Sequence, residues 1–274
     1  MQLGIRLHDT KVCPIEERLG IVREQGFSCV HMALSKTEGL HYEDAALTPG
    51  YAMYLKHIFQ QAKVDIAVLG NYLNLGHPDF REMVKIRKKY TAHLRFAALL
   101  GCGMVGTETG APNKDYHYDK EACHSREALE LFINNIRPVV KDAENLGVIL
   151  AIEPVYRHIV WNPGRAREVL DRIGSPNLQI IFDPVNLLDP DNVDHKDEVI
   201  EEAMELLCDD IAMVHLKDYV IENGNLRGVG CGEGEMDYSA IVGFMKEKKP
   251  FIQATLEETR PETAVFSKNV IEQL

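Results

Sequence analysis

Four short apolar runs in the second half of the chain end in side chains able to hold a metal ion. Val148–Ile152 leads into Glu153, Leu178–Phe182 into Asp183, Ile211–Val214 into His215, and Phe251–Leu256 into Glu257. Three carboxylates and an imidazole brought together without a cation repel one another and raise the carboxyl pKa values, a conflict that a divalent ion removes. Oxygen-rich ligation with one nitrogen favours Mn²⁺, with Mg²⁺, Co²⁺ or Zn²⁺ as competitors that ligand softness does not separate. A single acidic residue at a strand end is commonly just a helix cap or a loop hydrogen-bonding group. Four consecutive strand ends in phase with a repeat point instead to one site. The last member depends on the pleat: an offset of one residue turns Glu258 inward in place of Glu257.

For these residues to meet, their strands must all end on one face. Runs rich in Val, Ile and Leu predict strands at Leu3–Leu7, Cys29–Ala33, Asp65–Leu69, Met104–Thr107, Val148–Ile152, Leu178–Phe182, Ile211–Leu216 and Phe251–Leu256. Segments of helical period fall between them: Pro14–Gln25, Pro49–Lys63, Phe80–Leu100, Ser125–Leu146, Pro163–Ile173, Lys196–Leu207, Tyr238–Lys248, and a last one from Pro261 onward. Thr48-Pro49 and Asn162-Pro163 have the polar cap and first-turn proline of helix starts. Eight β-α units in 274 residues fit the usual size of a (β/α)₈ barrel, about 250 residues. No glycine fingerprint follows the first strand, where Ile5-Arg6-Leu7-His8-Asp9-Thr10 stands, and no Pro/Gly/Ser linker divides the chain. The expected fold is α/β, a single (β/α)₈ TIM barrel forming one domain over residues 1–274.

Composition narrows the function classes. A net charge of −12 repels a phosphate backbone, so nucleic acid is excluded as a first partner, and the basic run Lys85–Lys89 is expected to be a solvated helix face. No stretch approaches the roughly 20 apolar residues of a membrane span, and the opening MQLGIRLHD lacks the regions of a signal peptide; a cytosolic protein is expected. Six cysteines without a CxxC pair fit reduced structural thiols.

Further polar residues fall near the same mouth. His158, five residues beyond Glu153, is either an acid/base group or a surface histidine. Lys217 either neutralises a substrate oxygen or pairs with a loop carboxylate. Arg227 precedes glycines at 228, 230, 232 and 234, a stretch able to close over substrate. Glu108 ends the fourth strand, Asn71 the third and His8 the first, each placed to contact sugar hydroxyls, while Trp161 either stacks on a sugar or packs on the rim.

The motifs Ile152-Glu153-Pro154-Val155, Ser175-Pro176-Asn177-Leu178, Phe182-Asp183-Pro184-Val185-Asn186, His215-Leu216-Lys217-Asp218, Gly232–Tyr238 and Leu256-Glu257 occur in an order that resembles the sugar phosphate isomerase/epimerase superfamily, the xylose isomerase-like barrels. The resemblance implies that Glu153, Asp183, His215 and Glu257 bind one divalent ion, commonly Mn²⁺, at the C-terminal face. Such an ion polarises a ketose carbonyl and a neighbouring hydroxyl and stabilises an enediolate. In the ketose 3-epimerases that the chain resembles, two metal-binding glutamates exchange the proton, a role that passes to Glu153 and Glu257 here. Epimerases of free ketohexoses usually carry histidine three residues after the metal-binding aspartate; this chain has Asn186, which becomes a candidate substrate contact. The three-metal DNA-repair endonucleases of the superfamily carry extra strand-end histidines, whereas the third strand here ends in Asn71.

Three functions follow as expectations. The first is a sugar isomerase or epimerase acting on a ketose or polyol. The second is a lyase on the same scaffold, either an inosose dehydratase or the metal-binding subunit of a C-glycoside deglycosidase acting on 3-oxo-glycosides. The third is a non-catalytic sugar-binding barrel. A small carbohydrate is the expected ligand in all three, and homo-oligomerisation or a small partner subunit is compatible with each.

Overall fold

The computed structural model describes residues 1–274. Eight parallel strands close into a barrel: β1 (Gln2–Arg6), β2 (Cys29–Ala33), β3 (Asp65–Gly70), β4 (Met104–Glu108), β5 (Ile149–Glu153), β6 (Leu178–Phe182), β7 (Ile211–Leu216) and β10 (Gln253–Leu256). Helices α1 (Ile15–Glu24), α2 (Pro49–Ala62), α3 (Phe80–Leu100), α5 (Arg126–Leu146), α6 (Pro163–Ile173), α7 (Lys196–Leu207), α8 (Ser239–Lys248) and α9 (Ala264–Glu272) connect them, with α4 (Lys120–Cys123) a single turn before α5. This is the α/β TIM barrel expected from the sequence. The starts follow local chemistry: Thr48 Oγ1 accepts from the Tyr51 amide and Asn162 Oδ1 from the Arg165 amide, each just before a proline that needs no amide partner.

Two expected strands begin later than periodicity suggested. β5 starts at Ile149 and β10 at Gln253; Phe251, read as strand, is 95% exposed in a turn in which the Ile252 amide donates to the Lys249 carbonyl. The terminal helix starts at Ala264 instead of Pro261.

A hairpin escaped the sequence reading. β8 (Asp218–Glu222) and β9 (Asn225–Val229) pair antiparallel outside the barrel, joined by Asn223-Gly224, both in the left-handed region. An Asn-Gly pair between two runs of this length is the expected tight hairpin turn. The stretch expected as a closing loop is therefore partly a strand, and its continuation is pinned: the Asp218 carboxylate accepts from the amides of Tyr219, Gly232 and Met236.

Period-two alternation sets what faces the barrel axis. Odd-numbered positions of β5 carry Ala151 and then Glu153; β6 carries Ile181 below Asp183, β7 Met213 below His215, and β10 Thr255 below Glu257. A small apolar cluster of Cys29, Ala67, Val68, Met104, Ala151, Ile181 and Met213 forms the floor, while the large cluster including Leu150, Ile152, Ile180 and Val214 lies between strands and helices. A side chain one step above that floor emerges at the mouth, so chemistry concentrates there.

Candidate active site

In the layer above the floor, alternation presents Arg6, His31, Gly70, Glu108, Glu153, Asp183, His215 and Glu257. Glu153, Asp183, His215 and Glu257 are all buried. Donor atoms of Glu153, Asp183 and His215 lie within 4.8 Å of one another, and so do those of His31, His215 and Glu257. His215 joins the two groups, its Nδ1 standing 3.4 Å from Glu153 Oε2 and 3.2 Å from Glu257 Oε1. The alternation also separates the two C-terminal candidates. Glu257 continues the inward series, whereas Glu258 adopts a left-handed backbone and leaves its side chain 45% exposed, where its Oε1 accepts from Arg6 Nη2 at 2.9 Å.

The electrostatics suit a cation. Burial works against a charged His215, yet Glu257 and Glu153 hold its pKa up at about 9. Burial likewise opposes ionisation of Glu257 and Glu153, but the His215 charge outweighs it and keeps both below the ordinary glutamate value, with Lys217 helping. Asp183 goes the other way, to about 6, because burial exceeds the pull of Lys217, whose Nζ stands 2.7 Å from its Oδ2. A proton on His215 and the Lys217 ammonium thus serve as the local counterions of three buried carboxylates.

The donor set fits a divalent ion. The Nε2 of His215 is buried without any partner, a costly state for a polar atom unless something else satisfies it, while its Nδ1 and Oδ2 of Asp183 meet only the charges of Glu153, Glu257 and Lys217. The other carboxylate oxygens are oriented from outside: Asp183 Oδ1 accepts from the Val185 and Asn186 amides, and Glu153 Oε1 accepts from Asn186 Nδ2 at 2.6 Å. Ligating carboxylates held by such partners are characteristic of metal sites.

Above this set lies a cavity of about 260 Å³, lined by Arg6, Lys36, Tyr72, Glu108, Glu153, Asn186, Lys217, Glu257 and Glu258. The sequence candidates Glu108, Asn186 and Lys217 therefore line it. Asn71 does not: it falls out of phase, its carbonyl accepts from the Tyr90 hydroxyl, and Tyr72 takes the inward place. His8, just past β1, makes an edge-on contact with the His31 ring, centroids 6.1 Å apart, and burial drives its pKa down to about 3. Arg227 is at the outer rim, spent on Glu222 across the hairpin. Trp161 packs on the rim, stacked on His124 with centroids 4.5 Å apart.

His158 is half of a small polar cluster. Its Nδ1 is buried, unpartnered and 3.7 Å from Glu108 Oε2, an oxygen that also accepts from the Tyr116 hydroxyl at 3.1 Å. Burial lowers the His158 pKa to about 4 and, together with the charge of Glu153, raises that of Glu108.

Sequence reasoning missed Arg6, His31 and Tyr72. Arg6 Nη1 lies 3.3 Å from Glu257 Oε2; His31 Nδ1 lies 3.5 Å from Glu257 Oε1, and its Nε2 shares a 2.8 Å hydrogen bond with the Tyr72 hydroxyl. A signal was present: Gly4-x-Arg6 and Cys29-x-His31 keep the same alternation as the later candidate ligands, but the apolar runs expected as strands, Leu3–Leu7 and Cys29–Ala33, continue past both residues. Between β2 and β3 the register shifts at Val30/His31, a bulge of the kind that re-aims side chains near functional sites. Gly70 leaves the room His31 needs, since a Cβ there would meet His31 Nε2 at 2.6 Å.

A closed parallel barrel with a polar, metal-capable ring at its C-terminal mouth defines the class of protein. Residues 19–270 match the family described as xylose isomerase-like TIM barrel, and the chain belongs to that family. No curated protein matches the sequence significantly. Among solved structures, a D-tagatose 3-epimerase-like protein superposes with a TM-score of 0.76 at 21% identity, covering 100% of this chain and 96% of that one. The 3-keto-D-glucoside 4-epimerase YcjR from E. coli superposes with a TM-score of 0.76 at 14% identity, covering 100% of both. The IOLI protein with a binding zinc atom gives a TM-score of 0.73 at 18% identity, covering 100% of this chain and 96% of that one. No helix of this chain is long and apolar enough to cross a membrane.

Proposed function

We propose that this chain is a divalent-metal-dependent isomerase or epimerase of sugars or related polyols that removes a proton from the carbon next to a carbonyl. One observation carries the reading: Glu153, Asp183 and His215 converge, with Glu257 3.2 Å from His215, beneath a small polar cavity. The names of two structural neighbours, both sugar epimerases or like them, agree with it.

A divalent ion held by Glu153, Asp183, His215 and Glu257, with Mn²⁺ expected first and zinc present in the IOLI neighbour, would polarise the carbonyl and an adjacent hydroxyl and so acidify the intervening C–H. Glu153 and Glu257 flank His215 from β5 and the end of β10, and both are ionised at neutral pH, so each is able to take a proton. Asn186 donates to Glu153 Oε1 and so fixes the orientation of the carboxylate. Arg6 and Lys217 hold Glu257 Oε2 in the same way at 3.3 and 3.4 Å. Inversion of the carbon between them then needs one glutamate ionised, to take the proton on one face, and the other first protonated from solvent, to deliver its proton to the opposite face; the glutamate that took the substrate proton releases it to solvent. Lys36, Arg6 and Tyr72, which also line the cavity, offer donors to substrate hydroxyls.

The Glu108, Tyr116 and His158 cluster favours a second reading, elimination on the same scaffold, because a leaving group needs a proton donor that paired glutamates do not supply. The protein loaded with Mn²⁺ is to be incubated in D₂O with ketoses, inososes and 3-oxo-glycosides, with NMR following C–H exchange and products. Deuterium next to the carbonyl with a sugar product is the expected result. Exchange with loss of water or an aglycone, abolished by His158→Ala while metal content is kept, would transfer the assignment to a lyase. Sugar binding with no exchange anywhere would reduce the protein to a carbohydrate-binding barrel.

A further inference from the structure

Glu258, which the pleat turns away from the barrel axis, still borders the cavity over the donor ring, together with Arg6, Lys36 and Tyr72. Its backbone is left-handed, with φ at 53°. A long L side chain adopts that conformation only where its surroundings impose it, and such residues gather at functional sites. The glycines after Arg227 pack closely on this one. A Cβ at Gly228 would meet Glu258 Cγ at 3.3 Å, and one at Gly230 would meet the Glu258 carbonyl oxygen at 3.4 Å, so side chains on that loop would crowd residue 258.

The side chain is fixed as firmly as the backbone. Glu258 Oε1 accepts from Arg6 Nη2 at 2.9 Å, and Arg6 is itself anchored by Asp9 at Nε, 2.8 Å away, and by Glu257 at Nη1, 3.3 Å away. Glu258 Oε2 accepts no hydrogen bond from the protein. The other carboxylates bordering the cavity have work elsewhere: Glu153 and Glu257 belong to the donor ring, and Glu108 Oε2 accepts from Tyr116. Arg6, Lys36 and Lys217 are donors alone. A substrate hydroxyl has lone pairs that such donors satisfy, but its proton needs an acceptor. Oε2 of Glu258 is one that is already in place, so little rotamer freedom is left to lose when a ligand binds.

Resting on the carbonyl-sugar reading of the inner site, we infer that Glu258 is a specificity-determining residue, whose Oε2 accepts a hydrogen bond from a substrate hydroxyl while Oε1 stays on Arg6. The glycines at 228 and 230 then serve the site by seating this residue. Ketones without a hydroxyl at that place are disfavoured, because a site built around a hydroxyl proton discriminates strongly against the analogue that lacks it.

The test is calorimetric titration of the Mn²⁺-loaded protein with D-tagatose, D-fructose and scyllo-inosose, three uncharged polyhydroxy ketones, paired with proton exchange on the same compounds in D₂O. Glu258→Gly, which suits the left-handed backbone and so guards against misfolding, is expected to weaken binding of the best ligand at least tenfold. It should lower maximal exchange by less than it lowers affinity, and it should keep the Mn²⁺ stoichiometry. Glu258→Gln keeps an oxygen for Arg6 but puts an amide donor where Oε2 stands, and it is expected to weaken binding at least threefold. Native affinity in both variants would overturn the inference. Native affinity in Glu258→Gln alone would overturn it too, because holding Arg6 would then be the whole of the role. So would loss of bound Mn²⁺ from either variant, which would place the effect in the donor ring. Exchange by the native protein separates the two claims. Binding that depends on Glu258 without any exchange sinks the proton-abstraction reading alone, exchange and binding indifferent to residue 258 sink the inference alone, and no binding by any of the three ketones sinks both.

Discussion

Strands β5, β6, β7 and β10 bring Glu153, Asp183, His215 and Glu257 to the barrel mouth, whereas β1 to β4 bring Arg6, His31, the bare backbone of Gly70, and Glu108. The first arc is a set of side chains able to hold a metal, whose negative charge is balanced by a proton and by Lys217. The second arc supplies a cation and hydrogen-bonding groups that reach across to Glu257. One repeat architecture thus divides into a half that binds charge and a half that orients it. The lesson is that eight equivalent strand ends need not share a role, because a single cation site of the kind proposed would use only the neighbouring ones.

This division is broken most severely by removing a donor. Asp183→Ala and His215→Ala should each abolish stoichiometric Mn²⁺ binding and, with it, proton exchange, as read by metal analysis of the dialysed protein. Glu257→Gln keeps a coordinating oxygen but no base, so exchange should fall about 10²- to 10⁴-fold while bound metal persists. Unchanged exchange in that variant would remove Glu257 from the proton pathway.

The orienting arc should give smaller effects. His31→Gln, and Gly70→Ala by displacing the His31 ring, should weaken metal affinity or activity about 10- to 100-fold, in line with loss of a supporting partner. Loss as complete as in Asp183→Ala would mean that His31 is itself a ligand and that the division between arcs is wrong.

The last effect concerns folding and not turnover. The buried His158 has a pKa near 4, below the ordinary histidine value of about 6.5, so between these limits the unfolded chain binds a proton that the folded chain refuses. Its contribution is therefore fully present above pH 6.5 and declines as the pH falls toward 4, by up to about 3 kcal/mol. Denaturant unfolding across that range should show a shallower pH slope for His158→Gln; an identical slope would show that the imidazole titrates normally.

Much of this was legible in the order of residues. Strands at Cys29–Ala33, Leu178–Phe182 and Ile211–Leu216 and helices at Phe80–Leu100, Pro163–Ile173 and Lys196–Leu207 have the boundaries that hydrophobic period and capping predict. Reading only the strand ends, however, hid Arg6 and His31, whose places inside apolar strands look like core until the barrel closes and the alternation faces an axis. The hairpin was hidden for another reason: its glycines suggested a loop, and the Asn223-Gly224 turn carries the stronger local signal.

The sequence by itself determined the barrel and its candidate donors, because apolar periodicity and residue type are properties of neighbouring positions along the chain. Tertiary structure decided that Glu257 and not Glu258 turns inward, that Tyr72 replaces Asn71 at the cavity wall, and that Lys217 lies against Asp183. Those choices depend on pleat, on a bulge and on charges meeting across the barrel, none of which exists until strands distant in sequence are paired.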